Sequence, residues 1–135
     1  MDTKIIFILS IALACTYTYI YANNQAKKTW NLMDKMNKSL DALEKVYPNW
    51  NIEDNIGMIK NLRKDENFQS YLIPYAKSFL DYHEHEGDPP KQKTLFDIAK
   101  LCNNETLRDR ALESIRDHNA YYKKMNKTAL EKQNL

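Results

Sequence analysis

The densest group of chemically active side chains is the run Asp81-Tyr82-His83-Glu84-His85-Glu86-Gly87-Asp88, which holds imidazoles and carboxylates of the types that ligate metals. On a helix, Asp81 and His85 stand four residues apart and share a face, so the pair is spaced to grip one cation. His83 and His85 stand two apart and diverge. A metallopeptidase helix needs two histidines four apart with a glutamate beside the first, and that spacing is missing here. His118 is the one further histidine. A solvated helix end running into a turn accounts for the cluster, and neither a metal nor a cofactor is expected.

Nucleophilic catalysis needs a nucleophile, a base and an oxyanion hole held together. The chain has no Gly-x-Ser-x-Gly elbow, phosphate loop, dinucleotide fingerprint or Cys-His signature, and only Gly57 and Gly87 to shape a backbone cradle. The paired carboxylates Glu53-Asp54 and Asp65-Glu66 fall at expected helix starts, where the helix dipole favours them. No catalytic residue is expected, and the chain reads as a binding protein, not an enzyme.

For binding, the informative side chains are aromatic and basic. Trp50, in the corner Tyr47-Pro48-Asn49-Trp50, is either a lid on the core or an exposed anchor for a partner. Arg108, Arg116, Lys123 and Lys124 lie outside the apolar stripe of the last predicted helix, with Tyr121 between them. These six residues are the expected protein-binding set. Three sequons, Asn37-Lys38-Ser39, Asn104-Glu105-Thr106 and Asn126-Lys127-Thr128, are glycosylation candidates in an exported chain. Asn104, at a joint between helices, is expected to be the most accessible.

These residues need elements to position them, and the 3.6-residue period dominates the chain. A helix is expected over residues 25–46, burying Leu32, Met36, Leu40, Leu43 and Tyr47, with Trp30 and Met33 widening the stripe. Pro48 stops it. A second helix starts at Asn51, with Glu53 and Asp54 in its first turn and Ile52, Ile56, Ile59 and Leu62 inward. A third, over 66–85, carries the aromatic stripe Phe68, Leu72, Tyr75, Phe79 and Tyr82 or His83, with a kink or break expected near Ile73 because Pro74 removes a hydrogen bond. Gly87 ends that helix and Pro89-Pro90 forbids its continuation. A fourth covers 91–102, burying Leu95, Ile98 and Cys102. Asn103 or Asn104 caps a last helix over 105–130, with Leu107, Ala111, Leu112, Ile115, Tyr122 and Met125 inward. The expected fold is all-α: a compact bundle of about four to five amphipathic helices.

The first 22 residues read as a signal peptide. Lys4 supplies the positive start and Ile5–Ala14 an apolar stretch broken only by Ser10. Cleavage after Ala22 leaves Asn23 as the first residue. The strongly apolar part is roughly half the ~20 residues of a spanning helix, so no stable membrane insertion is expected after cleavage. Ala12-Leu13-Ala14-Cys15 also permits a bacterial lipoprotein reading, with Cys15 lipidated. Residues 23–135 then form a single helical domain holding one cysteine, Cys102. No intramolecular disulfide can form, which excludes the disulfide-knit secreted families. Cys102 is read as a buried small hydrophobe.

Lysine outnumbers arginine sixteen to four. Lys, Asn, Ile and Tyr share A/T-rich codons, so the excess partly reflects base composition, and no nucleic-acid partner is expected. Charge is uneven: residues 51–90 carry four basic and eight acidic groups, residues 91–135 ten basic and six acidic. A dipolar soluble domain explains this pattern, and a basic face for an acidic partner is the sharper alternative.

Short length, an export signal, Lys and Asn richness and a disulfide-free helical scaffold together give a chain that resembles the small salivary effectors of sap-feeding insects such as aphids. The resemblance is one of general character over the whole chain and transfers no residue role. It implies a secreted protein, delivered in some cases into host cells, that acts by binding a host or partner protein. Lack of disulfides suits a reducing cytosol. A carrier of a small apolar ligand is the alternative, with the Phe68–Tyr82 stripe and Met33, Met36 and Met58 lining its cavity.

Overall fold

Glycine occurs at two positions and proline at four, so little in the chain interrupts a helix. The computed structural model describes residues 2–51 and 56–133. Among the described residues six helices follow one another: α1 (Thr3–Val46), α2 (Ile56–Lys64), α3 (Glu66–Glu86), α4 (Gln92–Leu101), α5 (Glu105–Asp117) and α6 (Asn119–Gln133). No strand occurs among the described residues. The all-helical bundle expected from periodicity is the observed fold, with one helix more than expected.

α1 begins at Thr3, capped by the Asp2 carboxylate on the Lys4 amide, and not near residue 25. No glycine or proline separates residues 3 and 46, so the apolar N-terminal stretch and the helix expected over 25–46 propagate as one. Only the later part of α1 is packed. Its Tyr47 end meets Phe68 of α3 with ring centroids 5.1 Å apart, and Thr29 Oγ1 lies 3.0 Å from His85 Nε2 at the other end of α3. The two helices therefore run antiparallel, and this is the most extensive helix pair in the fold. The α1 residues before Thr29 run past the end of α3, a length of about 40 Å at 1.5 Å per residue.

Leu43 is fully buried on α1, while Leu32, Met33, Met36, Leu40 and Tyr47 are half-buried. Trp30, expected to widen the buried stripe, is 65% exposed. It stands one residue from Thr29, where α3 has ended and can cover nothing further.

α3 carries the centre of the core. Asp65 caps it, accepting from the Phe68 amide at 3.1 Å, and Gly87 ends it in the left-handed region at φ 77°, a conformation open to glycine because it lacks a Cβ. The helix continues through Pro74 without the expected break. Pro74 points outward, and Leu72, Tyr75, Ala76 and Phe79 on either side of it are buried. Burying a large apolar side chain is worth roughly 1.5–3 kcal/mol, so these contacts together outweigh the ~3 kcal/mol that an interior proline costs. The aromatic stripe is thus packed core.

α4 and α5 form a hairpin against this layer. Leu95, Ile98, Leu101 and Cys102 are buried from the first, Leu107 and Ala111 from the second. Burial pushes the Cys102 thiol above its usual range, as expected of a small hydrophobe. Asn104, not Asn103, caps α5, its Oδ1 accepting from the Leu107 amide at 3.1 Å. Buried Gln69 ties three elements together: its Nε2 donates to Leu62 O at 3.0 Å and Leu101 O at 2.8 Å, and its Oε1 accepts from the Asn103 amide at 2.9 Å.

The last predicted helix is two. His118 Nδ1 lies 2.9 Å from Ser114 O, which also accepts the His118 amide at 3.1 Å. Asp117-His118-Asn119 is a run of weak helix formers, and α6 starts afresh after it. Tyr122 then locks the start of α6 through its hydroxyl, which donates to Pro90 O at 2.7 Å. Leu112 and Met125, expected on the inward face, are exposed. The expected capping of α2 by Asn51 with Asp54, and the inward Ile52 and Ile56, fall outside the described residues.

Candidate functional site on the C-terminal helices

Arg110 is the hinge between α3 and α5. Its guanidinium donates to Asp81 Oδ1 at 2.8 Å and to both Glu84 oxygens at 3.1 and 2.8 Å. The Glu84 hydrogen bonds hold Arg110 firmly protonated, with Asp81 adding to the effect. Burial alone would raise the Asp81 carboxyl, but hydrogen bonds from Lys77 and Arg110 prevail and its pKa falls below the usual carboxylate range.

Asp81 and His85, whose spacing could grip one cation, are engaged elsewhere. Asp81 turns to Lys77 and Arg110, and His85 to Thr29. Among the described residues no group of three histidine, cysteine or acidic side chains is placed to hold a metal. His83 instead turns inward against Phe79, with ring centroids 4.4 Å apart. Burial lowers its pKa, partly offset by Asp88 and Glu86. His83, Glu84, Arg110, Glu113, Asp117 and His118 share the wall of a cleft of about 330 Å³. Sequence inspection misses this cleft because its two walls lie 20 or more positions apart, with no local spacing to mark them.

The six expected binding residues do not form one surface. Trp50 is 3% exposed and meets Tyr75 edge-on at 5.9 Å. It is the lid of the core and not an exposed anchor, because the turn after α1 folds its indole onto α3. Arg108 is half-buried and Arg116 exposed, both on α5. Exposed Leu112 lies midway between them, four residues from each, so the three share one face. Tyr121, Lys123 and Lys124 are exposed on α6.

α6 is the least supported element. Tyr122 is its one buried residue, and Met125 and Leu130 are 53% and 60% exposed. Four lysines and one glutamate give it a net charge of +3. Beside it, Tyr121, Met125 and Asn126 face Pro89–Gln92 across a groove of about 250 Å³. Of the sequons, Asn37 and Asn126 are exposed, whereas Asn104 is half-buried and occupied as a cap. The accessibility expected of Asn104 is thus reversed.

No protein-family model, curated protein sequence or solved structure matches the chain.

Proposed function

We propose that this is an exported interaction protein whose C-terminal helices bind a partner protein, without catalysis. The observation that carries this reading is α6: a basic helix bearing exposed Tyr121, Met125 and Leu130, tied to the body mainly through Tyr122. Beyond Tyr122 the helix has eleven residues, all exposed. Isolated helices of fewer than about 12–15 residues are marginal in water. A partner that covers α6 supplies the burial the fold itself does not. Tyrosine and arginine are favoured at the centres of interfaces, and the lysines steer an acidic partner.

Export is the second half of the proposal. The apolar side chains from Ile5 to Tyr21 stay outside the core, as befits a leader that is removed. Delivery into a host cell fits a domain that is held by packing alone, with its one cysteine, Cys102, unbridged.

The test is capture of partners from host tissue by the exported protein and by its Tyr121→Ala/Met125→Ala variant. Both side chains are exposed, so the variant keeps its helical circular dichroism. The expected result is a reproducible partner lost at least about tenfold in the variant, the scale of about 1.4 kcal/mol. Equal capture by both proteins overturns the placement on α6, and no reproducible partner overturns the function.

A further inference from the structure

We propose that the exported protein pairs with a second copy of itself, α6 of each copy lying against the acidic cleft of the other about a two-fold axis. The proposal rests on the same exposed α6 as the partner reading, but it needs no other protein. Both halves of the interface are present on one chain, and neither is satisfied within it.

The basic half is α6. Tyr121, Met125 and Ala129 follow one another at four-residue spacing and share a face, while Lys123 and Lys127 share another. All five are exposed. The acidic half is the rim of the cleft of about 330 Å³ where α3 and α5 end. Glu113 and Asp117 line it from α5. Glu86 and Asp88 stand at the end of α3, close enough for their charge to act on His83 in the cleft wall. These four carboxylates are exposed. The ion pairs of the described residues include none of them, and no lysine of α6. Arg110, the one arginine or lysine of the lining, is already held by Asp81 and Glu84. The carboxylates also stand where a helix disfavours them. Asp117 closes α5, at the negative end of its dipole, and Glu113 repels it from one turn earlier. Cations from outside the chain relieve both.

The two halves adjoin. Pro90 lies in the walls of both the acidic cleft and the groove beside α6. The rings of His118, from the cleft, and Tyr122, from the groove, have centroids 6.2 Å apart. Neighbouring patches of opposite charge are complementary to themselves under a two-fold rotation: where one copy's lysines reach the other's carboxylates, the reverse contact forms as well. The contact closes at two copies. It also covers Tyr121 and Met125, residue types favoured in interfaces, which a single chain leaves 45% and 53% exposed.

The test is sedimentation equilibrium of the purified exported protein over a range of concentrations. The expected result is a monomer–dimer equilibrium with no larger species. It is expected to weaken at least about tenfold as salt rises from about 0.1 M to about 1 M and the Debye length falls from about 10 Å to about 3 Å. Charge reversal supplies a second readout. Lys123→Glu/Lys127→Glu and Glu113→Lys/Asp117→Lys alter exposed side chains, so each variant keeps its helical circular dichroism. Each alone is expected to dimerise at least about tenfold more weakly. An equimolar mixture is expected to recover the dimer, because opposite charges then face each other at both contacts. The salt series on the unaltered protein decides the matter even if a variant fails to fold. A protein still monomeric at about 1 mM, a dimer indifferent to salt, a mixture no tighter than either variant, or assemblies growing beyond two copies overturns the proposal. A monomer leaves capture of a partner by α6 untouched, and a dimer stands even where capture returns no partner.

Discussion

At the scale of single residues, the buried polar groups are the most sensitive points. Gln69 closes three hydrogen bonds that join α3 to the end of α2 and to the α4–α5 link. Gln69→Leu keeps the bulk and strands the Leu101 carbonyl and the Asn103 amide, while the Leu62 carbonyl keeps the Asp65 amide. A buried group left unsatisfied costs about 1–3 kcal/mol. The expected loss is therefore about 2–4 kcal/mol, seen as a lower urea midpoint at unchanged slope. Tyr75 makes a second prediction. Burial, reinforced by Glu44 and Asp97, pushes its phenol up to about 12 from 10.0. The unfolded chain ionises first, so stability is intact below pH 10 and falls as pH rises toward 12. One pKa unit is worth about 1.4 kcal/mol, so the fall approaches ~3 kcal/mol. Denaturation at pH 9 and pH 11.5 checks it, and Tyr75→Phe is expected to flatten the difference.

At the scale of elements, the helices divide by what covers them. α3 is packed by α1, α2 and α5 and tolerates an interior proline. α6 is held by Tyr122 and little else, so its amides past Tyr122 are expected to exchange with solvent far faster than those of α3. Hydrogen exchange read residue by residue checks this. Protection over residues 123–133 equal to that of α3 would show that α6 has support of its own. A bound partner is expected to raise protection there and leave α3 unchanged. Helix ends were the most legible feature of the sequence. Asp65, Gly87 and the Asn103-Asn104 pair stand where caps were expected, because capping is a local bargain between one side chain and the nearest amides. The break at His118 was less legible, since it depends on an imidazole competing for one carbonyl and on Tyr122 reaching Pro90, 32 residues away.

At the scale of the molecule, the apolar N-terminal stretch and the packed bundle share one helix, α1. If the proposal of export holds, the secreted product is expected to begin at Asn23, and mass spectrometry of its N-terminus checks this. An intact leader on the mature product would mean that the apolar stretch is retained as an anchor. With α1 cut at Ala22, the pairing of its later part with α3 is expected to persist, because among the described residues the first inter-helix hydrogen bond of α1 is at Thr29. The helical circular dichroism of the exported domain should therefore match that of the bundle.

The sequence alone determined the class of fold and part of its core. Period, caps and the scarcity of glycine and proline are local, and Leu43, Phe68, Leu72, Leu95, Ile98 and Cys102 declare themselves by spacing. Tertiary structure decided which amphipathic faces found partners. Trp30, Leu112 and Met125 sit on apolar stripes yet stay exposed, because no helix lies opposite them. Trp50 is buried because the turn after α1 folds it onto Tyr75. Arg110, Asp81 and Glu84 meet only once α3 and α5 pack. Periodicity tells a side chain which way to face along its own helix, and only the packing of helices tells it what it meets there.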